Sequence, residues 1–250
     1  MGAENLFESI RVRRACRTYD MAPLSASALA QIAEQAAAIP VLLGGQDLST
    51  EILALGEVRG PLRAKAPHYL VIYGSGDQWD RLNAGFVFEQ WVLWMTAQGY
   101  ATCWLGGVKP LHADGKPEPI VGIAFGHAAT PGGHLRKDGQ SKRRSLAEIS
   151  RGDDPRFEAV RLAPSGVNGQ PWYLAASEEG ARRTVHVYMQ TSGLLSLVYR
   201  LREVDMGIAL AHLFVASGKH GLPFSFSAKS NERAGAPEAP KGYSWLGVVR

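Results

Sequence analysis

Leu162-Ala163-Pro164-Ser165-Gly166-Val167-Asn168-Gly169-Gln170-Pro171-Trp172 is the stretch on which the fold of this chain turns. It follows Phe157-Glu158-Ala159-Val160-Arg161, which reads as a short helix, and runs into Trp172-Tyr173-Leu174, which reads as the start of a strand. Each proline disfavours helical backbone in the residue before it, so Pro164 and Pro171 bracket a segment that cannot extend that helix. Between them sit a hydroxyl, two glycines and two amides, side chains that both donate and accept hydrogen bonds. Such a bend suits the gripping of a polar ligand chain. An ordinary surface turn has the same composition, and the residues alone leave both readings open.

Working outward, a second polar knot lies near the amino end. A short helix over 4–12, with Leu6 and Ile10 inward, runs into Arg11-Val12-Arg13-Arg14-Ala15-Cys16-Arg17. Four arginines so close together repel one another unless water or an anion compensates them. Guanidinium groups form forked, charge-assisted bonds to phosphate. Lys142-Arg143-Arg144, just before the short helix Ser145–Ile149, is a third basic run, and a solvated knuckle is its plain alternative. Tyr100-Ala101-Thr102-Cys103-Trp104-Leu105-Gly106-Gly107 reads as a strand that ends in a glycine turn.

Together these segments resemble the flavin-dependent nitroreductases. The wording Ala-Pro-Ser-x-x-Asn-x-Gln-Pro-Trp at 163–172 is similar to the family's turn that contacts the ribityl chain and ring of FMN. The resemblance thus implies cofactor contacts from Pro164, Ser165, Gly166, Asn168 and Gln170. Arg13, Arg14, Ala15 and Arg17 stand where the family carries Arg-Arg-Ser-x-Arg on the FMN phosphate. Ala15 replaces the serine, so one hydroxyl contact is missing. Leu105, Gly106 and Gly107 match the segment that offers backbone groups to the flavin ring edge. Lys142 and Arg144 match a basic pair that returns to the phosphate.

The second half echoes the first. Helices over 83–98 and 205–220 each carry a glycine fourteen residues before a capping glycine, Gly85 and Gly99 in one, Gly207 and Gly221 in the other. Strands at 66–73 and 171–174 precede them, and strands at 120–125 and 243–249 close the halves. The expected fold is α+β and nitroreductase-like: two tandem related halves, 1–150 and 151–250, each with a mostly antiparallel sheet and a long core helix. Typical family members are symmetric dimers with FMN at the subunit interface. Here the arginines lie in one half and the Pro-Ser-x-x-Asn turn in the other, and Arg151, Arg156 and Arg161 are scattered. The resemblance therefore implies an intramolecular pseudo-dimer with one complete FMN site per chain; whether it stands alone or forms a homodimer is open.

Composition agrees with a globular domain or pair. The 250 residues are 46% hydrophobic and 20% charged, with a formal charge of +4. No apolar run reaches the length of a membrane span, and Met1–Ile10 has no apolar core of the signal-peptide kind. Two cysteines, Cys16 and Cys103, make no disulfide framework, so a reducing cytoplasm is the expected setting. Gly74-Ser75-Gly76 opens like a dinucleotide fingerprint, but Trp79 stands where the third glycine would pack, so a turn is expected. His212, on an apolar helix, reads as a satisfied core histidine, and Cys103 as a small buried thiol rather than a nucleophile. His-Glu-x-x-His, Cys-x-x-Cys and Gly-x-Ser-x-Gly are absent.

With no such apparatus, the chemistry falls to a cofactor. The expected activity is an FMN-dependent oxidoreductase that passes electrons from NAD(P)H to a small-molecule acceptor such as a nitroaromatic or quinone. No catalytic side chain and no metal is expected. A non-catalytic module binding flavin or another anionic ligand is the alternative. Nucleic acid ranks last, because the arginines are not interleaved with a stacking platform.

Overall fold

The computed structural model describes residues 3–44, 47–62, 64–112, 115–137, 142–179, 182–191, 201–233 and 235–250. In the first half, α1 (Ala3–Val12) and α2 (Ala26–Ala38) precede β1 (Ser49–Ala54), β2 (Val58–Arg59) and β3 (His68–Tyr73). The long α3 (Gln78–Ala97) is followed by β4 (Ala101–Leu105), β5 (Lys109–Pro110) and β6 (Val121–Gly126). In the second half, α4 (Leu146–Ile149), β7 (Ser150–Arg151) and α5 (Phe157–Arg161) lead to β8 (Trp172–Glu179) and β9 (Arg182–Gln190). The long α6 (Arg202–His220), β10 (Phe226–Ser227) and β11 (Tyr243–Val249) complete it.

Among the described residues two larger sheets flank the packed helices, and β2 and β5 pair as a separate two-stranded sheet. The first has the order β1-β3-β6-β4, antiparallel throughout. The second has the order β10-β11-β9-β8-β7, antiparallel except for the β7–β8 pair. The mixed α+β class with mostly antiparallel sheets and a long helix in each half is thus as the sequence implies. Strands β3 and β6 are buried at every position, so they read as unbroken apolar runs rather than alternating ones. Core residues from both halves form one apolar cluster, with Trp91, Trp172 and Leu213 fully enclosed.

The long helices meet at their glycines. A Cβ on Gly85 would lie 2.0 Å from the Val204 carbonyl oxygen, and one on Gly207 would lie 2.0 Å from the Leu82 carbonyl oxygen. Only glycine permits backbones so close. The contact is reciprocal: Leu82 and Gly85 are displaced from Val204 and Gly207 by the same 122 residues that separate the ion-paired Arg81 and Glu203. A residue that touches its partner as the partner touches it is the signature of a two-fold contact. Here that contact is made within one chain.

Some local expectations shift. Helix α3 starts at Gln78 rather than at residue 83, because the Asp77 carboxylate accepts from the Trp79 and Asp80 N–H groups and caps it. Phe214, on α6, is 37% exposed and packs edge-on against Phe224. Gly221 closes α6 in left-handed backbone, as its position implies.

Candidate functional site

Helix α5 ends at Arg161, and Ser165 takes extended backbone before a single tight turn over Gly166–Asn168. Val167, Asn168 and Gln170 have φ of 47°, 58° and 47°, and among the described residues they are the non-glycine positions with positive φ. Left-handed backbone costs an L-residue roughly 1–2 kcal/mol, most for β-branched valine. The surrounding bonds over-determine the bend, which is how such strain persists. The Ser165 hydroxyl accepts from the Gln170 N–H at 2.9 Å, and the Gln170 side-chain amide donates to the Asn168 carbonyl at 3.2 Å. The buried Asp205 carboxylate, from the first turn of α6, accepts from the Gly166 N–H at 3.0 Å.

The 142–144 run lies on this bend. The Asn168 side-chain amide donates to the Lys142 carbonyl at 2.7 Å, and the Arg143 guanidinium donates to the Asn168 side-chain oxygen. The Arg144 N–H donates to Gln170 Oε1 at 2.9 Å, and its guanidinium reaches the Gln170 carbonyl and the Tyr243 hydroxyl. So Lys142 and Arg144 touch the turn, but Lys142 does so through its backbone while its side chain is exposed. The residue of the three that carries charge inward is Arg143.

Arg143 joins an arginine cluster. Burial and the nearby charges of Arg13 and Arg136 push its guanidinium down to about 10. Arg136 is lowered for the same reasons, burial first and then Arg13 and Arg161. Arg161 itself is raised by a two-pronged bond to Glu158, at 2.6 and 2.5 Å. The arginine expected to be one of a scattered set therefore belongs to the cluster. Arg13 is 2% exposed, anchored by its N–H on the Ser9 carbonyl and by a bridge to Leu135. Its Nε lies 3.9 Å from Glu89 Oε1, near enough to feel the charge and too far to hydrogen-bond. Arg13 Nε and Arg143 Nε are both buried without a hydrogen-bond acceptor. Buried Nε donors without acceptors, on arginines that repel one another, describe a place built for an anion.

Glu89 ties this cluster to the rest of the site. Fully buried on α3, it accepts from Trp104 Nε1 at 2.8 Å and faces His212 Nε2 at 3.0 Å. His212 Nδ1 lies 2.7 Å from the Ala159 carbonyl, a pure acceptor, so the ring carries hydrogen there. His212 is thus a satisfied core histidine, as read, but with a buried carboxylate for its partner.

Trp104 precedes Leu105, Gly106 and Gly107. Leu105 is buried, and the two glycines form an exposed turn beside Leu201, whose Cδ1 would lie 3.2 Å from a Cβ on Gly106. The Gly107 carbonyl packs so close to Gly60 that a Cβ there would meet it at 2.3 Å. Arg14 and Arg17 are exposed and, among the described residues, make no ion pair. Ala15 packs its methyl against the cluster that holds Cys16 and Cys103, which accounts for an apolar residue where the resemblance implies serine. Cys103 is buried, and burial pushes its thiol up, as suits an inert core residue.

The sequence reading missed Arg136, Arg143, Glu89 and Asp205. Glu89 left a usable signal: an acid inside Phe86–Met95, a helix apolar on most faces, needs a cation or donor to satisfy it. No helix among the described residues is long and apolar enough to cross a membrane.

Residues 5–217 match the family model described as "Putative TM nitroreductase". No curated protein matches the chain in sequence. Among solved structures, a "putative nitroreductase" from Thermotoga maritima MSB8 is similar at a TM-score of 0.67 and 21% identity, over 98% of this chain and 93% of that one. A nitroreductase with bound FMN from Desulfitobacterium hafniense DCB-2 has a TM-score of 0.41 at 18% identity, over 55% of this chain and 98% of that one. A "putative nitroreductase in complex with fmn" from Desulfovibrio desulfuricans has a TM-score of 0.42 at 21% identity, over 57% of this chain and 93% of that one. With the family model spanning most of its length, the chain belongs to the nitroreductase family of that description.

Proposed function

We propose that this chain is an FMN-dependent oxidoreductase that takes electrons from NAD(P)H and delivers them to a nitroaromatic, quinone or similar small acceptor. The observation that carries the reading is the pair of buried, acceptor-less guanidinium nitrogens on Arg13 and Arg143, beside the strained turn at Asn168. A phosphate monoester is close to a dianion at neutral pH and has oxygens enough to satisfy both. Arg161 is engaged by Glu158, so Arg13, Arg136 and Arg143 are the charges left for it.

The site has a polarity. Asn168, at one end of the bend, meets Arg143; Gly166, at the other, meets a buried carboxylate. An anionic terminus belongs at the first end and a neutral ribityl chain beside the second. The Gly106 turn, next to Leu201 at the head of α6, would border the ring. In this reading residues 1–150 supply the phosphate cluster and ring edge, and 151–250 supply the ribityl turn. One chain then completes one site, in a cytoplasmic protein with an internal pseudo-dimer.

A bound flavin supplies two-electron chemistry between nicotinamide and acceptor. The protein's part is to hold the phosphate with Arg13 and Arg143, fix the ribityl path with Ser165 and Asn168, and leave one ring face open. None of its side chains must act as an obligatory acid or base. The purified protein is expected to be yellow, or to become so with FMN, and to bleach under NADH or NADPH without oxygen. A protein that takes up no FMN at excess sinks the reading. One that binds FMN but is reduced by neither nicotinamide is the non-catalytic module.

A further inference from the structure

We infer that Asp205 is a positioning residue for the ribityl turn, an inference that rests on the flavin reading above. Asp205 sits in the first turn of α6, is 2% exposed, and bonds Gly166 N–H with both carboxylate oxygens, at 3.0 and 3.3 Å. A first-turn acid ordinarily serves its own helix. Here it reaches a backbone donor 39 residues away, at the residue where the strained turn begins.

The other half shows that this is an anchor built into the unit. Asn83 occupies the equivalent position on α3, displaced from Asp205 by the same 122 residues as the ion-paired Arg81 and Glu203. Its side-chain oxygen accepts from the Leu42 and Leu43 N–H groups at 2.9 and 3.0 Å, and its amide donates to the Leu43 carbonyl. Leu42 stands two residues after Pro40, as Gly166 stands two after Pro164. The same helix position therefore holds the same bend in both copies, and only the copy held by Asp205 carries Ser165 and Asn168. Holding Gly166 sets the start of a turn whose next residues, Val167 and Asn168, are in left-handed backbone that they would leave if released.

The test uses two ligands that share a ribityl chain and differ in the phosphate. Fluorescence quenching measures the affinity of the purified apoprotein for FMN and for riboflavin. Asp205→Ala is expected to weaken both by about tenfold, because the ribityl turn serves both. Asp205→Asn keeps an acceptor for Gly166, as Asn83 does for Leu42, and is expected to hold both affinities within about threefold. Asn83→Ala removes the equivalent anchor in the half without the motif, and is expected to lower the melting temperature while leaving both affinities unchanged. If Asp205→Ala folds poorly, Asp205→Leu fills the same space without an acceptor and is read in its place.

Equal affinities for wild type and Asp205→Ala, or an Asn83→Ala loss as large as that of Asp205→Ala, overturn the inference. So does failure of Asp205→Asn to restore binding. A wild-type protein that binds neither flavin fails the functional reading itself, which separates the two.

Discussion

Two bends sit over the crossing of the long helices, one in each half, and they have gone different ways. Both follow a helix, both open on a proline, and both hang by a backbone N–H from the same position of a core helix, Asn83 or Asp205. In the first half the bend reads Pro40-Val41-Leu42-Leu43-Gly44. Its leucines pack against the main core. In the second it reads Pro164-Ser165-Gly166-Val167-Asn168, and Asn168 meets Arg143 of the cluster. The difference separates what the fold requires from what a ligand requires. Anchor, proline and glycine crossing occur twice, so they belong to the architecture. Among the described residues of the two bends, the hydroxyl, the amide, the left-handed backbone and the arginine contact occur in one only, so they belong to the site.

The helix crossing offers the largest effect and tests the architectural side. Gly85→Ala and Gly207→Ala each drive a methyl to 2.0 Å from a backbone carbonyl that no rotamer change can move. Each is expected to cost about 3 kcal/mol or more of stability, with a large drop in melting temperature. Because the contact is reciprocal, the two losses should be similar. A large loss at one glycine and a small one at the other would break the two-fold relation between the halves.

Next come the phosphate contacts. Arg143→Ala is expected to weaken FMN binding by roughly 10- to 100-fold, the range of about 1.5–3 kcal/mol for charge-assisted bonds, and to weaken riboflavin binding far less, through the lost bond to Asn168 alone. Titration of the wild type should saturate at one FMN per chain. A second equivalent of comparable affinity would mean that the Pro40–Gly44 bend is also a site and would erase the contrast.

Much of this was legible because it rests on residues with few alternatives. Pro164 and Pro171 had to interrupt helix, and glycines at matching spacing had to be caps or close contacts. What stayed hidden depends on the path of the backbone. Lys142, Arg143 and Arg144 are adjacent and equally basic, and only the folded chain shows that Arg143 turns toward Arg13 while Lys142 points to solvent. Apolar periodicity started α3 at residue 83, since Asp77 acts by capping and leaves no apolar mark. The anchoring role of Asp205 is a contact 39 residues away, and its sequence context is that of any helix start.

The pH dependence of binding is a smaller effect that probes the same asymmetry. Burial, Arg13 and Arg136 hold the Arg143 guanidinium at about 10 in the free protein, far below an ordinary arginine. A bound phosphate favours its charged form, so the folded, ligand-free value is the one that limits binding. Below about pH 9 the group is already protonated and affinity is flat with respect to it. As pH rises through about 10, binding must recruit a proton, and FMN affinity should fall by about tenfold per unit. Below about pH 6 the phosphate itself loses its second charge and affinity declines again. Riboflavin, lacking phosphate, should lack the acid limb, and Arg143→Ala should remove the alkaline loss that FMN shows beyond that of riboflavin. An FMN profile flat to pH 11 would place the phosphate away from Arg143.

The smallest expected effect concerns strain. Val167, at φ of 47° and 62% exposed, is a β-branched residue in backbone that suits glycine. Val167→Gly relieves that conformation but gives the unfolded chain more freedom, and the two terms nearly offset. Chemical denaturation should show a stability change within about 1 kcal/mol, in the stabilising direction. Leu43→Gly, two positions before the equivalent of Gly169 and in a bend whose non-glycine residues all keep negative φ, has no strain to relieve and should destabilise by the loss of its packing against the core. Opposite signs at these two positions would show that, of the two bends, non-glycine left-handed backbone is kept in the one that carries Ser165 and Asn168, where Asp205 and Ser165 hold it against its tendency to relax.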